Sequence, residues 1–131
     1  MVHGKDIPRA QLVDGGVIKA IQDAAAMAPL HNPANLQGIQ AASAVFSCPQ
    51  VAVFDTAFHS TLSPAAYTYA LPAELCRKEG LRRYGAHGTS YRYLVGAAAQ
   101  VLGRPASELN LIIGHIGRVA LHGVSPCPGV T

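Results

Sequence analysis

Apolar residues recur at helical spacing early in the chain, at Val17, Ile18, Ile21, Ala24, Ala25 and Ala28, with Asp14 where an N-cap belongs. Pro29 stops that helix. Asn32-Pro33 reads as a second N-cap with proline at the first helical position, and Leu36, Ile39, Ala42 and Phe46 give the apolar face that follows. The two helices predict an αα-hairpin around Pro29-Leu30-His31-Asn32. Residues 50–54 (QVAVF) form a continuous β-branched and aromatic run, the pattern of a strand buried on both faces as in a parallel sheet. Ser63-Pro64 and residues 67–71 predict a short helix, and residues 73–79 another that Gly80 closes. Leu94, Val95, Ala98, Val101 and Leu102 mark a strong helix over 91–102, ended by Gly103. Residues 109–116 (LNLIIGHI) read as a second buried strand. The alternation predicts an α/β fold. From Gly117 onward neither period persists, and residues 118–131 read as a tail that does not continue the domain.

The length, 131 residues, fits one compact core. Half of the residues are apolar and only 13% are charged, against about 25% in a typical domain. That excludes a disordered polymer and suggests that part of the surface is covered. No apolar run reaches the roughly 18 residues of a membrane span, and Met1-Val2-His3-Gly4-Lys5-Asp6 lacks a signal-peptide pattern. Cys48, Cys76 and Cys127 are odd in number without CxxC spacing, which fits neither a disulfide framework nor a zinc site. A reduced, cytoplasmic setting is expected.

Net charge is +3, too small to indicate nucleic-acid binding, and there is no tryptophan to stack on bases. Arg77, Lys78, Arg82, Arg83 and Arg92 concentrate half of the basic residues in one stretch. It reads as a solvated helix end plus loop, or as a phosphate-facing region. His3, His31, His59, His87 and His115 recur every 28 residues, but their flanks differ, so no repeat is implied. No HxH or HExxH pair suggests a metal site.

Functional groups in open α/β sheets gather beyond the carboxyl ends of strands, where Asp55 and His115 fall. Asp55 could orient a magnesium ion or a nucleophile, or simply form a turn or helix cap. His87, flanked by Gly85-Ala86 and Gly88-Thr89-Ser90, could stabilise a transferring phosphoryl group, or cap the next helix. His31 suits a turn equally well. A Ser90/His87/Asp55 hydrolase lacks the G-x-S-x-G elbow.

Together the motifs resemble the acetate kinase family of acyl-phosphate-forming kinases. The matching residues are Val2-His3-Gly4, then residues 28–36 (APLHNPANL), 51–59 (VAVFDTAFH), 67–72 (YTYALP), 82–90 (RRYGAHGTS) and 109–117 (LNLIIGHIG). The resemblance implies an actin-like ATPase architecture, with residues 1–55 ending one RNase H-like domain, 56–117 starting a second, and 118–131 a divergent tail. It implies reversible transfer of the γ-phosphoryl group of ATP to acetate, giving acetyl phosphate and ADP, with magnesium. Asp55 would be the essential carboxylate and His87 the transition-state stabiliser. Val2, Leu30 and His31 would bind substrate. His115, Ile116 and Gly117 would open a nucleotide-phosphate loop. No membrane or nucleic acid is expected as partner, and the intact parent is expected to form a homodimer.

The departures are equally specific. Family members are much longer. The second glycine after VHG is Lys5 here, and H-x-G-N-G becomes His115-Ile116-Gly117-Arg118-Val119. The expectation is therefore an internal segment of an acetate kinase, truncated at both ends, with a divergent tail after Gly117 of the kind a shifted reading frame produces, and inactive alone. A propionate kinase, or a non-catalytic remnant that binds nucleotide, are the alternatives.

Overall fold

The computed structural model describes residues 3–5, 7–117 and 120–124. Asp14 caps helix α1 (Gly15–Asp23), its carboxylate accepting from the Val17 amide at 2.8 Å. A 3₁₀ turn over Ala24–Met27 extends it towards Pro29. Helix α2 (Asn32–Val45) starts with His31 at its cap and Pro33 in its first turn. Asn32 is therefore not the cap. Fully buried, its side chain accepts from the His3 amide at 2.8 Å and donates to the carbonyls of His3 and Ile21, both at 3.1 Å. An amide committed to the neighbouring segment and to α1 cannot also turn back onto its own helix.

Strand β1 (Gln11–Leu12), which no sequence pattern signalled, pairs antiparallel with β2 (Val51–Ala52). The strand expected to be buried on both faces has instead one buried face. Ala52 and Phe54 are buried, whereas Val51 and Val53 are 58% and 47% exposed. Among the described residues its one strand partner is β1, and the outward face stays about half open. The inward face joins Val17 and Ile21 in the core, with Ile7, Val13, Leu36, Ile39 and Ala57 packed around them.

Beyond Phe54 the chain makes a 3₁₀ turn (Ala57–Thr61), helix α3 (Pro64–Tyr67) and helix α4 (Ala73–Glu79). The short helix expected up to residue 71 stops at Tyr67, because Thr68 is already extended. Gly80 closes α4 in the left-handed region, φ +63°. Helix α5 (Gly88–Leu102) begins three residues earlier than its apolar pattern indicates and ends at Gly103. Tyr91 and Val95 are its buried anchors, while Val101 and Leu102, expected on the apolar side, are exposed.

Strand β3 (Ile112–Ile116) pairs antiparallel with β4 (Ala120–Val124), His115 lying opposite Leu121. Two expectations are corrected here. Ile112 and Ile116 are exposed, so β3 is not a buried strand. Residues 120–124, read as part of a tail with neither a helical nor a strand period, form a strand. Backbone pairing satisfies N–H and C=O groups whatever the side-chain period, so a strand can form where no pattern announces it. The α/β content stands, but both sheets among the described residues are two-stranded and antiparallel.

Candidate active site

Asp55 follows the buried Phe54 and organises the start of α5. One carboxylate oxygen accepts from the His87 amide at 2.7 Å, the other from the Thr89 amide at 3.1 Å. The Asp55 carbonyl accepts from the Gly88 amide between them, also at 3.1 Å. Three consecutive amides of a helix start, groups with no partner inside the helix, thus donate to one distant residue. The helix-cap reading of Asp55 is correct in kind, but the helix lies some thirty residues ahead in sequence. Only glycine fits at position 88, where a Cβ would meet the Asp55 carbonyl oxygen and the Phe58 side chain.

His87 stands at the N-cap position of α5 with φ +55°, a left-handed conformation that histidine tolerates better than most residues. Its side chain makes no capping bond. Instead its ring stacks on that of His115, centroids 4.2 Å apart and planes at 14°. His115 Nδ1 lies 3.0 Å from Ser90 Oγ. The preceding loop is seated by Gly85, at φ +78°, where a Cβ would run into the His59 ring. His59 Nε2 in turn bonds the Ala86 carbonyl at 2.9 Å.

A cleft of about 590 Å³ lies beside these residues. His3, Pro29, Leu30 and His31 line it from the amino-terminal segment and the α1–α2 connection. Asp55, Ala86 and His87 line it from the β2 end and the α5 start. Four expected site residues, Leu30, His31, Asp55 and His87, therefore share one cleft. His115 reaches it indirectly, through its stack on His87. Ile116 and Gly117 do not line it, and Val2 lies outside the described residues.

Sequence reasoning missed the parts that brace the cleft. Buried Thr56 accepts from the Gly4 amide at 3.0 Å, and Asn32 holds His3 from both sides of its peptide. The motifs containing these residues were visible, but a side chain that bonds a distant backbone leaves no local pattern. Within the basic stretch, the Arg82 guanidinium lies over the Tyr67 ring at 4.1 Å and the Tyr84 ring at 5.2 Å. Tyr91, beneath the site against Phe58 and His59, has its phenol pushed above its ordinary range by burial and then by the Asp55 charge. Among the described residues no cluster of three or more His, Cys, Asp or Glu side chains could hold a metal, and no helix is long and apolar enough to cross a membrane.

The model of the acetokinase family matches residues 1–125, continuing past Gly117 across β4. This chain belongs to the acetokinase family. An acetate kinase from a Shewanella species is 52% identical over 122 residues, which cover 92% of this chain and 30% of that protein. Among solved structures, the acetate kinase of Porphyromonas gingivalis superposes with a TM-score of 0.89 at 40% identity. The propionate kinase of Francisella tularensis superposes at 0.88, with the same identity. Each alignment covers 95% of this chain and 32% of the other. The chain therefore takes the fold of about a third of an acetate kinase, an actin-like ATPase fold, and spans that share of the family's length.

Proposed function

We propose that this chain supplies the acyl-phosphate chemistry of a family kinase: reversible transfer of the γ-phosphoryl group of ATP to acetate, giving acetyl phosphate and ADP. The observation that carries this reading is the bond from the His87 amide to the Asp55 carboxylate, which places both residues on one cleft with Leu30 and His31. Phosphoryl transfer needs positioning and charge stabilisation more than covalent chemistry. Asp55, oriented by two amides, keeps lone pairs for an incoming group. His87 offers a ring braced by His115, suited to charge building on the transferred phosphoryl oxygens. Leu30 gives the methyl of acetate an apolar contact, and His31 stands beside it. The expected domain division at 55/56 would put Asp55 and His87 on either side of a hinge.

Magnesium fits this donor set in a limited way. The ion keeps most of its waters and takes one or two carboxylates together with substrate phosphates. Asp55 is the acidic side chain on the cleft wall and would be its protein ligand here. When bound, the ion supplies neutralisation of phosphate charge. His115, Ile116 and Gly117 would meet the nucleotide phosphates from the end of β3.

The test is a graft of residues 3–117 into a full-length acetate kinase of known activity, with acetyl phosphate trapped as its hydroxamate. The graft should turn over, and Asp55→Asn or His87→Ala within it should lower kcat by at least about a hundredfold. The 131-residue chain alone should produce no acetyl phosphate above background. A folded graft that is inactive, or one indifferent to both substitutions, overturns the reading.

A second acceptor has its own support, since a propionate kinase superposes as well as an acetate kinase does. A pocket discriminates one methylene by only about 1–3 kcal/mol. Propionate should therefore be used by the graft within roughly 200-fold of acetate in kcat/KM.

A further inference from the structure

Ser90 has no role in the reaction as described, yet its hydroxyl meets the ring that braces His87. Ser90 Oγ and His115 Nδ1 are 3.0 Å apart and partly buried, and they join the first turn of α5 to β3. Ser90 lies one helical turn beyond His87, so one turn presents both the ring on which His115 stacks and the hydroxyl that bonds its edge. The two contacts do different things. Stacking fixes the plane of an imidazole but is nearly indifferent to a half-turn of the ring, which exchanges Nδ1 with a carbon. A hydrogen bond at Nδ1 removes that degeneracy, because the carbon that a half-turn would bring there makes no such bond to the hydroxyl. The bonded nitrogen is Nδ1, so Nε2 is the ring nitrogen left for another partner.

We propose that Ser90 is a positioning residue that sets the flip state of His115, so that Nε2 is the nitrogen offered to a phosphate-bearing ligand. The identity of the ligand rests on the kinase reading; the setting of the ring does not. Ser90→Ala keeps the helix, since alanine is a good helix former, and removes only the hydroxyl. Ser90→Thr keeps the hydroxyl.

The experiment is nitrogen NMR of the histidine rings in the full chain, for the parent, Ser90→Ala and Ser90→Thr, before and after addition of inorganic phosphate. In the parent and the threonine variant, His115 Nδ1 should give the shift of a hydrogen-bonded ring nitrogen. In the alanine variant Nδ1 should lose that shift, with the His87 backbone amide unmoved. Phosphate should shift His115 Nε2 in the parent and bind roughly fivefold more weakly to Ser90→Ala, the loss of about one hydrogen bond. An alanine variant whose His115 ring nitrogens match the parent overturns the assignment, whatever phosphate does. If the ring signature changes but phosphate moves none of the three spectra, the offer of Nε2 to phosphate is overturned and the setting of the ring by Ser90 stands; an inactive graft, by contrast, overturns the kinase reading alone.

Discussion

The carboxylate of Asp55 accepts a 2.7 Å hydrogen bond from the backbone amide of His87, and its other oxygen accepts from Thr89. The acid of the cleft is thus also the cap of the helix that carries its partner. Asp55→Ala should therefore lower stability even without substrate, by about 2–3 kcal/mol, since two amides lose a charged acceptor. Asp55→Asn should recover less than half of this, because it offers an oxygen to one amide and an NH₂ group to the other. Urea denaturation followed by far-UV circular dichroism gives both numbers. An alanine variant as stable as the parent would mean that the two bonds contribute nothing.

Glycines on the same helix should respond with opposite signs. Gly88→Ala pushes a methyl group into the Asp55 carbonyl and Phe58, and overpacking of this kind costs about 1–3 kcal/mol. A Cβ at Gly96 meets nothing within 4 Å, so Gly96→Ala should stabilise by roughly 0.5–1 kcal/mol through helix propensity alone. Thermal melts of both variants settle the comparison. A Gly88→Ala variant that gains stability as Gly96→Ala does would show that the close approach of α5 to Asp55 is wrong.

Asn32 joins three backbone groups, two on His3 and one on Ile21, from a fully buried position. Asn32→Ala strands those groups and should cost about 3 kcal/mol or more. Asn32→Ser, a good cap residue, should rescue little, because the amide does not act as a cap. The amino-terminal segment should also be released, so limited proteolysis before Val17 should accelerate in the alanine variant. Equal cleavage rates would remove Asn32 as the clamp.

These bonds mark the boundary of what the sequence made legible. Helices came through because their signals are local: Asp14 before an apolar stripe, Gly80 and Gly103 after one. Asp55, His87, Leu30 and His31 were identified through family motifs, and the structure brings them to one cleft. The strands were misjudged because a continuous apolar run encodes burial on two faces, and among the described residues only one face of residues 51–54 is covered. The low charge of the chain agrees with the apolar surface this leaves, at Leu12, Val51, Val53, Ile112 and Ile116. Asn32 and Thr56 were invisible for another reason. Their partners lie 29 and 52 residues away, and such a bond imposes no period on the sequence around it.

Tyr91 supplies a prediction in which removing a polar group helps. Its hydroxyl is buried and has no hydrogen-bond partner among the described residues. A buried hydroxyl without a partner carries a desolvation cost of about 1–3 kcal/mol, so Tyr91→Phe should match or exceed the parent in stability at neutral pH. The same burial, reinforced by the Asp55 charge, raises the phenol above its ordinary value of 10.0. As pH climbs past that value the unfolded chain loses the Tyr91 proton while the folded chain keeps it. Ionisation therefore favours the unfolded state, and stability falls from that pH upward. Phenylalanine cannot ionise, so the advantage of Tyr91→Phe should be constant below about pH 9 and widen above about pH 10. Urea midpoints measured across that interval for both proteins provide the check. A difference that stays flat into strong alkali would show that the phenol is not held in its protonated form by the fold.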